Sequence, residues 1–225
     1  MQLDFQSREL TVKLVYYGPA LSGKTTNLQA IHRLLTAERR SRLMTLETKD
    51  DRTLFFDLLP LSFNTGGGLL VRLKLFTVPG QVIHSSTRRL VLRGADGVAF
   101  IADSQRAEAV ANQESFLDLR KNLKENGLNA EKLPLVIQFN KRDLSNIRGE
   151  EEIQQMARRG REPIYLAVAT RGIGVRETFM GLVEATWQAM ETEHGLSERF
   201  GVTTETVLQD LTKRFNLSDA SAGTQ

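Results

Sequence analysis

Cysteine is absent from the 225-residue sequence. Its absence excludes disulfides, thiolate nucleophiles, thiolate zinc sites and the attachment of prenyl or palmitoyl chains. The second residue is Gln2 rather than the glycine of a myristoylation signal, and no apolar run approaches the roughly 20 residues that cross a bilayer. We therefore expect a cytoplasmic protein without an integral membrane segment, whose membrane contacts, if any, are peripheral or made through a partner.

The sequence also lacks a strong excess of either charge. Lysine and arginine total 30, against 27 aspartate and glutamate residues. This small positive balance fits an anionic ligand, but it is too slight and too dispersed to indicate nucleic-acid binding. Hydrophobic residues make up 40% and charged residues 25% of the chain, which is ordinary globular composition. The length allows one α/β domain, alone or with an appendage.

Strand-like and helix-like segments alternate along most of the chain. Short apolar, β-branched or aromatic runs predict strands at 11–17, 54–59, 69–76, 98–102, 135–139 and 164–168. Helical periodicity begins at Lys24 and also covers about 107–125 and 175–190. A turn-forming run, N-T-G-G-G at 64–68, joins two of the strands into a hairpin. This order predicts an α/β fold with a mostly parallel sheet, helices on both faces and one antiparallel hairpin strand.

The alternation of strands and helices stops near residue 194. We predict one domain over residues 1–194 and a C-terminal extension over 195–225. Large apolar residues at helical spacing predict a short amphipathic helix in the extension: Val207, Leu208, Leu211 and Phe215. A lone helix this short is marginal in water, so its apolar face needs a partner surface. The rest of the chain is the favoured partner, and a regulator, an effector or a frayed chain end are the alternatives.

A glycine-rich loop separates the first predicted strand from the first predicted helix. Residues 18–25, G-P-A-L-S-G-K-T, match the phosphate-binding pattern G-x-x-x-x-G-K-[ST]. Backbone N–H groups reach phosphate oxygens where glycines leave room, Lys24 neutralises the β- and γ-phosphates, and the Thr25 hydroxyl ligates magnesium. The residues expected at the nucleotide are Gly18, Ala20, Leu21, Ser22, Gly23, Lys24, Thr25 and Thr26. The alternative is a chance glycine-rich loop, and the motif alone does not separate GTPases from ATPases or nucleotide kinases.

A second motif, N-K-x-D, follows the strand predicted at 135–139. The Asp143 carboxylate can accept hydrogen bonds from the N1–H and 2-amino groups of guanine. Adenine presents an acceptor there and would leave the carboxylate unpaired. The stem of Lys141 can cover the purine ring, and Asn140 can tie this loop to the phosphate loop. A polar loop of this kind is common by itself, but its place at a later strand end favours GTP over ATP.

Four further segments narrow the class of protein. They are Y-Y-G-P at 16–19, D-R-T-L-F-F-D at 51–57, T-V-P-G-Q at 77–81 and G-V-A-F-I-A-D-S at 97–104. Together they resemble the bacterial MglA family of Ras-like small GTPases, which act in gliding motility and cell polarity. The resemblance covers roughly residues 8–193. It implies a Ras-like P-loop NTPase fold, Mg²⁺ as cofactor, and hydrolysis of GTP to GDP that is slow without an activating partner. It also implies a roadblock-type activator similar to MglB, effectors that the sequence does not identify, and enrichment at a cell pole through partners.

The resemblance assigns roles to residues in two switch segments. Thr53 would complete the magnesium shell, and Arg52 would act as an arginine finger carried in cis. Gln81 would orient the attacking water, while the Gly80 amide would sense the γ-phosphate. The residues by themselves also permit a surface arginine at position 52 that pairs with a neighbouring aspartate, and an exposed glutamine at position 81.

The magnesium site departs from the ordinary Ras-like pattern. Thr77 stands where most such proteins carry the aspartate that orders the magnesium shell through water. The metal is therefore expected to rest mainly on Thr25, Thr53 and the phosphates, and to be held more weakly.

The guanine site departs from that pattern too. Residues 167–172, A-V-A-T-R-G, stand where Ras-like proteins have S-A-K. The residues expected beside the base are Val168, Ala169 and Thr170. The Ala169 amide could reach guanine O6, and the base would stack on one face only because Thr170 replaces the lysine.

The expected function is a GTPase switch whose GTP-bound form binds partners, since switch loops lose γ-phosphate contacts on hydrolysis. One alternative is a GTP-binding scaffold with negligible hydrolysis, which Gln81 and Arg52 oppose. Another is a P-loop kinase or ATPase, which the N-K-x-D motif opposes. His32, His84 and His194 are scattered along the chain and are predicted to be ordinary polar positions.

Overall fold

The computed structural model describes residues 1–36, 42–46, 56–81 and 84–215. The strands are β1 Gln2–Asp4, β2 Glu9–Tyr17, β3 Met44–Leu46, β4 Phe56–Asn64, β5 Leu70–Thr77, β6 Gly97–Asp103, β7 Leu135–Asn140 and β8 Ile164–Leu166. The helices are α1 Lys24–Leu34, α2 Ser85–Leu92, α3 Ala109–Glu125, α4 Glu150–Arg159, α5 Val175–His194, α6 Leu196–Phe200 and α7 Thr204–Thr212. Among these described helices, none combines the length and the apolar character needed to cross a membrane.

One sheet contains all the described strands. Its order is β3-β4-β5-β2-β6-β7-β8, and β1 lies antiparallel along the first part of β2. The pairs β2–β5, β2–β6, β6–β7 and β7–β8 are parallel, whereas β4–β5 is antiparallel. The predicted α/β class and the predicted hairpin are thus confirmed. The short antiparallel strands β1 and β3 are additions that the apolar pattern does not predict.

The β4–β5 hairpin turns at the predicted glycine-rich run. The Thr65 amide donates to the Leu69 carbonyl at 2.9 Å, and the Gly68 amide donates to the Thr65 carbonyl at 2.9 Å. Gly68 has a φ of 72°, a left-handed conformation that suits glycine. The resulting register pairs Leu58 with Phe76. Asp57, the residue before Leu58, therefore lies beside Thr77, the residue after Phe76.

Two apolar clusters cover the two faces of the sheet. Leu14 and Tyr16 of β2 belong to the cluster beneath α1, α5 and α7, while Val15 and Tyr17 belong to the cluster beneath α2, α3 and α4. Alternate residues of one strand therefore face opposite helical layers, as the strand period of two requires. The predicted placement of helices on both faces is confirmed.

The C-terminal extension completes the first of these clusters. Val207, Leu211 and Phe215 are each no more than 3% exposed, and the Phe215 ring lies 6.0 Å from the Phe179 ring of α5. α7 begins at a polar cap, where the Thr206 amide donates to the Thr203 hydroxyl at 3.2 Å. The predicted amphipathic helix is present and docks on its own chain. The boundary at residue 194 stays a prediction, and residues 216–225 lie outside the described part.

The end of the extension also joins α1 to β4. The Thr36 amide donates to the Arg214 carbonyl at 3.0 Å, directly after α1. The Arg214 guanidinium donates to the Ser62 carbonyl at 2.8 Å and lies 5.4 Å from the Phe63 ring. The extension therefore links the end of α1 to β4.

Leu211→Ala tests this docking. The substitution removes a side chain that is 1% exposed, so the free energy of unfolding should fall by about 2–4 kcal/mol. Chemical denaturation measures the change. Gln209→Ala on the exposed face of α7 is the matched control and should stay within about 0.5 kcal/mol of the parent. Equal unfolding midpoints for the two variants would show that α7 is not packed on the domain.

Candidate nucleotide-binding site

The phosphate loop runs from the end of β2 to the start of α1, and two of its glycines leave no room for a side chain. A Cβ at Gly18, where φ is 147°, would lie 2.2 Å from the Ile101 carbonyl oxygen. A Cβ at Gly23, where φ is 99°, would lie 2.2 Å from the side-chain nitrogen of Asn140. Leu21 is also left-handed, with a φ of 60°. Such a loop directs successive N–H groups to one anion.

Lys24 is buried at the base of this loop. Its side-chain nitrogen donates to the carbonyls of Gly18 at 3.0 Å and Pro19 at 2.6 Å. Burial, and next the nearby Arg88 guanidinium, lower the pKa of Lys24 to about 8, while Asp57 opposes the shift. A positive group held this way gains an ion partner when an anion enters the loop.

A cavity of about 370 Å³ opens beside Lys24. It gathers most of the phosphate-binding residues that the sequence predicts: Leu21, Gly23, Lys24, Thr25, Thr26 and Gly80. Gly80 lies directly on the phosphate loop, because a Cβ there would come within 2.4 Å of the Ala20 Cα. Gln81 follows at the surface, and its carbonyl accepts from the His84 amide at 3.2 Å. Arg52 and Thr53 lie outside the described residues.

The cavity also contains a carboxylate to which the sequence motifs assign no role. Asp57 of β4 is 7% exposed, and its Oδ2 accepts from the hydroxyls of Thr25 at 2.6 Å and Thr77 at 3.0 Å. Its Oδ1 accepts from the Thr45 hydroxyl at 2.9 Å. The signal that would have found it is the hairpin register, which sets Asp57 beside Thr77. The expected magnesium site on Thr25, Thr53 and the phosphates stays a prediction, and Asp57 is a carboxylate that accepts a hydrogen bond from one of its residues, Thr25.

These oxygen donors fit a magnesium ion that is bound together with a nucleotide. Magnesium is usually held by one or two carboxylates plus substrate phosphates, and Thr25 and Asp57 lie beside the phosphate loop. In the part of the chain that the structure describes, no cluster of three or more His, Cys, Asp or Glu side chains could hold a metal ion. Thr25 and Asp57 are the described side chains that would hold such an ion beside the phosphates.

Asn140 links the N-K-x-D loop to two other loops. It is 2% exposed. Its side-chain nitrogen donates to the Ser22 carbonyl at 2.8 Å, which is the predicted tie to the phosphate loop. Its side-chain oxygen accepts from the Ala169 amide at 2.9 Å. The Ala169 amide that was expected to reach guanine O6 is thus already engaged with Asn140, and Val168 precedes it in the same turn.

The remaining base-site residues surround this junction. The Lys141 ammonium lies 2.6 Å from the buried Asp103 carboxylate at the end of β6, a partner that the motif pattern does not reveal. Asp143 and Thr170 are exposed. The carboxyl ends of β2, β6, β7 and β8 meet along one edge, where open α/β sheets bind ligands. The predicted phosphate-binding and base-binding residues therefore share that edge.

A phosphate loop and an N-K-x-D loop joined at the carboxyl edge of a mostly parallel sheet define a small GTPase of the Ras-like type. Over 182 residues the chain is 48% identical to the mutual gliding-motility protein MglA of Myxococcus xanthus (strain DK1622), and the match spans 81% of this chain and 93% of that protein. The chain therefore belongs to the MglA family. No protein-family model matches it.

Asp57→Asn tests whether the added carboxylate serves the metal. The amide keeps the size of the side chain but removes its charge, so the magnesium concentration needed to slow GDP release should rise on the order of tenfold or more. Release of a fluorescent GDP analogue over a magnesium titration measures it. Asp210→Asn, which breaks an ion pair in the C-terminal extension, is the control. An unchanged magnesium dependence in Asp57→Asn would place the metal on other groups.

Proposed function

We propose that this protein is a guanine-nucleotide switch that binds GTP and GDP, hydrolyses GTP slowly with Mg²⁺, and controls cell polarity or motility through partners that bind its GTP form. The observation that carries the proposal is the buried Asn140 amide, which joins the N-K-x-D loop to the phosphate loop. Joined loops hold a base and a phosphate chain of one nucleotide at the same time. Membership of the MglA family supports the same function.

Base choice rests on Asp143. Its carboxylate accepts from the N1–H and 2-amino groups of guanine, a pairing that adenine does not offer. The Lys141 stem covers the purine while Asp103 holds its ammonium group at 2.6 Å. The Ala169 N–H donates to guanine O6 and to the Asn140 side-chain oxygen, so that one N–H serves two acceptors.

The phosphate chain is bound by the loop amides and by Lys24, whose charge neutralises the β- and γ-phosphates. Thr25, Thr53 and Asp57 would hold the magnesium ion, which when bound neutralises charge on the β- and γ-phosphate oxygens. Gln81 orients the attacking water, and the Gly80 amide, already pressed on the phosphate loop, senses the γ-phosphate. Arg52 carries the positive charge that the transition state needs.

Partners complete the switch. The relative's name describes a mutual gliding-motility protein, and we extend a motility or polarity role to this chain from that likeness. A roadblock-type activator similar to MglB would rearrange the first switch segment and bring Arg52 toward the phosphates. Because the arginine is carried in cis, such an activator need not supply one.

Asp143→Asn tests the base assignment. An amide presents a donor where guanine also donates, so GDP affinity should fall on the order of a hundredfold or more while xanthosine diphosphate binds better. Competition against fluorescent nucleotides measures both affinities. Lys24→Ala is the companion variant and should weaken binding of both bases alike. Unchanged affinities in both variants would remove the proposed function.

Arg52→Ala tests the cis arginine finger. Nucleotide binding should stay close to parental, and activator-stimulated hydrolysis should fall on the order of a thousandfold. Single-turnover hydrolysis, with and without the activator, measures the effect and also separates a slow switch from a scaffold that never hydrolyses GTP. If stimulation survives Arg52→Ala but is lost when the activator's own arginines are replaced, the finger is supplied in trans.

A further inference from the structure

Arg88 of α2 is a buried charge whose guanidinium makes two directed hydrogen bonds. Its side chain is 7% exposed, although arginine is rarely buried unless it is paired. Nε donates to the Asp118 carboxylate of α3 at 2.8 Å, and Nη1 donates to the main-chain carbonyl of Gln81. The rigid fork of a guanidinium holds two acceptors at fixed directions. The main chain of Gln81 is thereby tied to α3.

The same carboxylate is tied to the strand that carries the phosphate loop. The Tyr17 hydroxyl also donates to Asp118 Oδ2, and the Asn122 amide donates to that hydroxyl at 3.1 Å. Burial, with the neighbouring Asp118 carboxylate, raises the pKa of Tyr17, which keeps the hydroxyl protonated as a donor. Tyr17 directly precedes Gly18. A continuous chain of hydrogen bonds therefore runs from Tyr17, just before the phosphate loop, to Gln81.

Packing of α2 on α3 does not account for this arrangement. The exposed pair Arg89–Glu125, at 3.2 Å, and the bond from Asn126 to the Arg89 carbonyl, at 2.8 Å, already join the two helices. Burying a further charge costs free energy that apolar packing at the same position would avoid. Arg88 donates one hydrogen bond to the main-chain carbonyl of Gln81. Gln81 follows Gly80, and Gly80 lies against the phosphate loop.

We propose that Arg88 is a positioning residue for GTP hydrolysis: together with Asp118 and Tyr17 it fixes the main chain of Gln81 relative to the phosphate loop, so that the glutamine side chain starts from the correct place to orient water. The inference rests on the proposed function. The field of Arg88 also reaches the phosphate site, since the guanidinium contributes to the lowered pKa of Lys24. Arg88 touches neither nucleotide nor water in this role.

Arg88→Lys is the first variant, because lysine keeps the charge but is a point donor that cannot hold both acceptors. Single-turnover GTP hydrolysis without an activator should slow by about tenfold to a hundredfold, the cost of a misplaced group, while the Kd for GTP changes by less than about threefold. Arg89→Lys, on the same helix, is the matched control and should hydrolyse at the parental rate. Equal rates for Arg88→Lys and the parent would overturn the inference.

A second comparison is made in the Gln81→Leu variant. It distinguishes an effect of Arg88 that acts through Gln81 from a general loss of structure. If Arg88 acts through Gln81, adding Arg88→Lys to Gln81→Leu should slow hydrolysis no further. If the double variant instead hydrolyses GTP more slowly than Gln81→Leu by the same factor that Arg88→Lys shows by itself, the positioning role of Arg88 is overturned and the proposed function is not. Parental hydrolysis by Gln81→Leu with intact GTP binding would overturn the water-orienting role and this inference together, while leaving nucleotide binding standing.

Tyr17→Phe provides a second route if Arg88→Lys does not fold. It removes one hydroxyl from the far end of the chain of hydrogen bonds and leaves the ring in the core. Hydrolysis should slow severalfold with the Kd for GTP unchanged, and the effect should again vanish in the Gln81→Leu background. A Tyr17→Phe variant that hydrolyses at the parental rate would contradict the coupling.

Discussion

The carboxamide of Asn140 is the contact on which the rest of the site depends. One buried side chain binds the phosphate loop at Ser22 and the base-side turn at Ala169, with bonds of 2.8 and 2.9 Å. Gly23 completes the junction, since any larger residue there would collide with the same amide. These bonds fix the phosphate loop and the base-side turn relative to each other, and a fixed geometry of this kind lowers the entropic cost of binding a ligand that spans both.

Two further buried polar groups contact Thr25 and Gln81 beside the phosphate loop, and the place of each depends on an element far away in sequence. Asp57 lies beside Thr77 because β4 and β5 pair antiparallel around a glycine turn. Arg88 reaches Gln81 because α3 supplies Asp118 as its second acceptor. The strands and helices that form the core therefore also set the geometry of the loops. The C-terminal extension adds to this framework by bracing α1 against β4.

Much of the fold follows from local patterns, and the exceptions have physical causes. The central strands are predictable because burial on both faces demands continuous apolar runs, and all seven residues of β6 are buried. β1 and β3 have three residues each, too few to show a period, and α4 buries only Ile153. The motifs predict the phosphate and base loops. They do not predict Asp57 or Arg88, because register and tertiary pairing decide those contacts. The roles of Arg52 and Thr53 remain predictions, since both residues lie outside the described part.

The proposed switch requires that this site select guanine over adenine. Displacement of a fluorescent GDP analogue by unlabelled GTP and by ATP, in the presence of magnesium, measures this selection on the unaltered protein. GTP should displace the analogue at a concentration on the order of a thousandfold lower than ATP, because only guanine pairs with the Asp143 carboxylate. Displacement by ATP at the same concentration as GTP would contradict it.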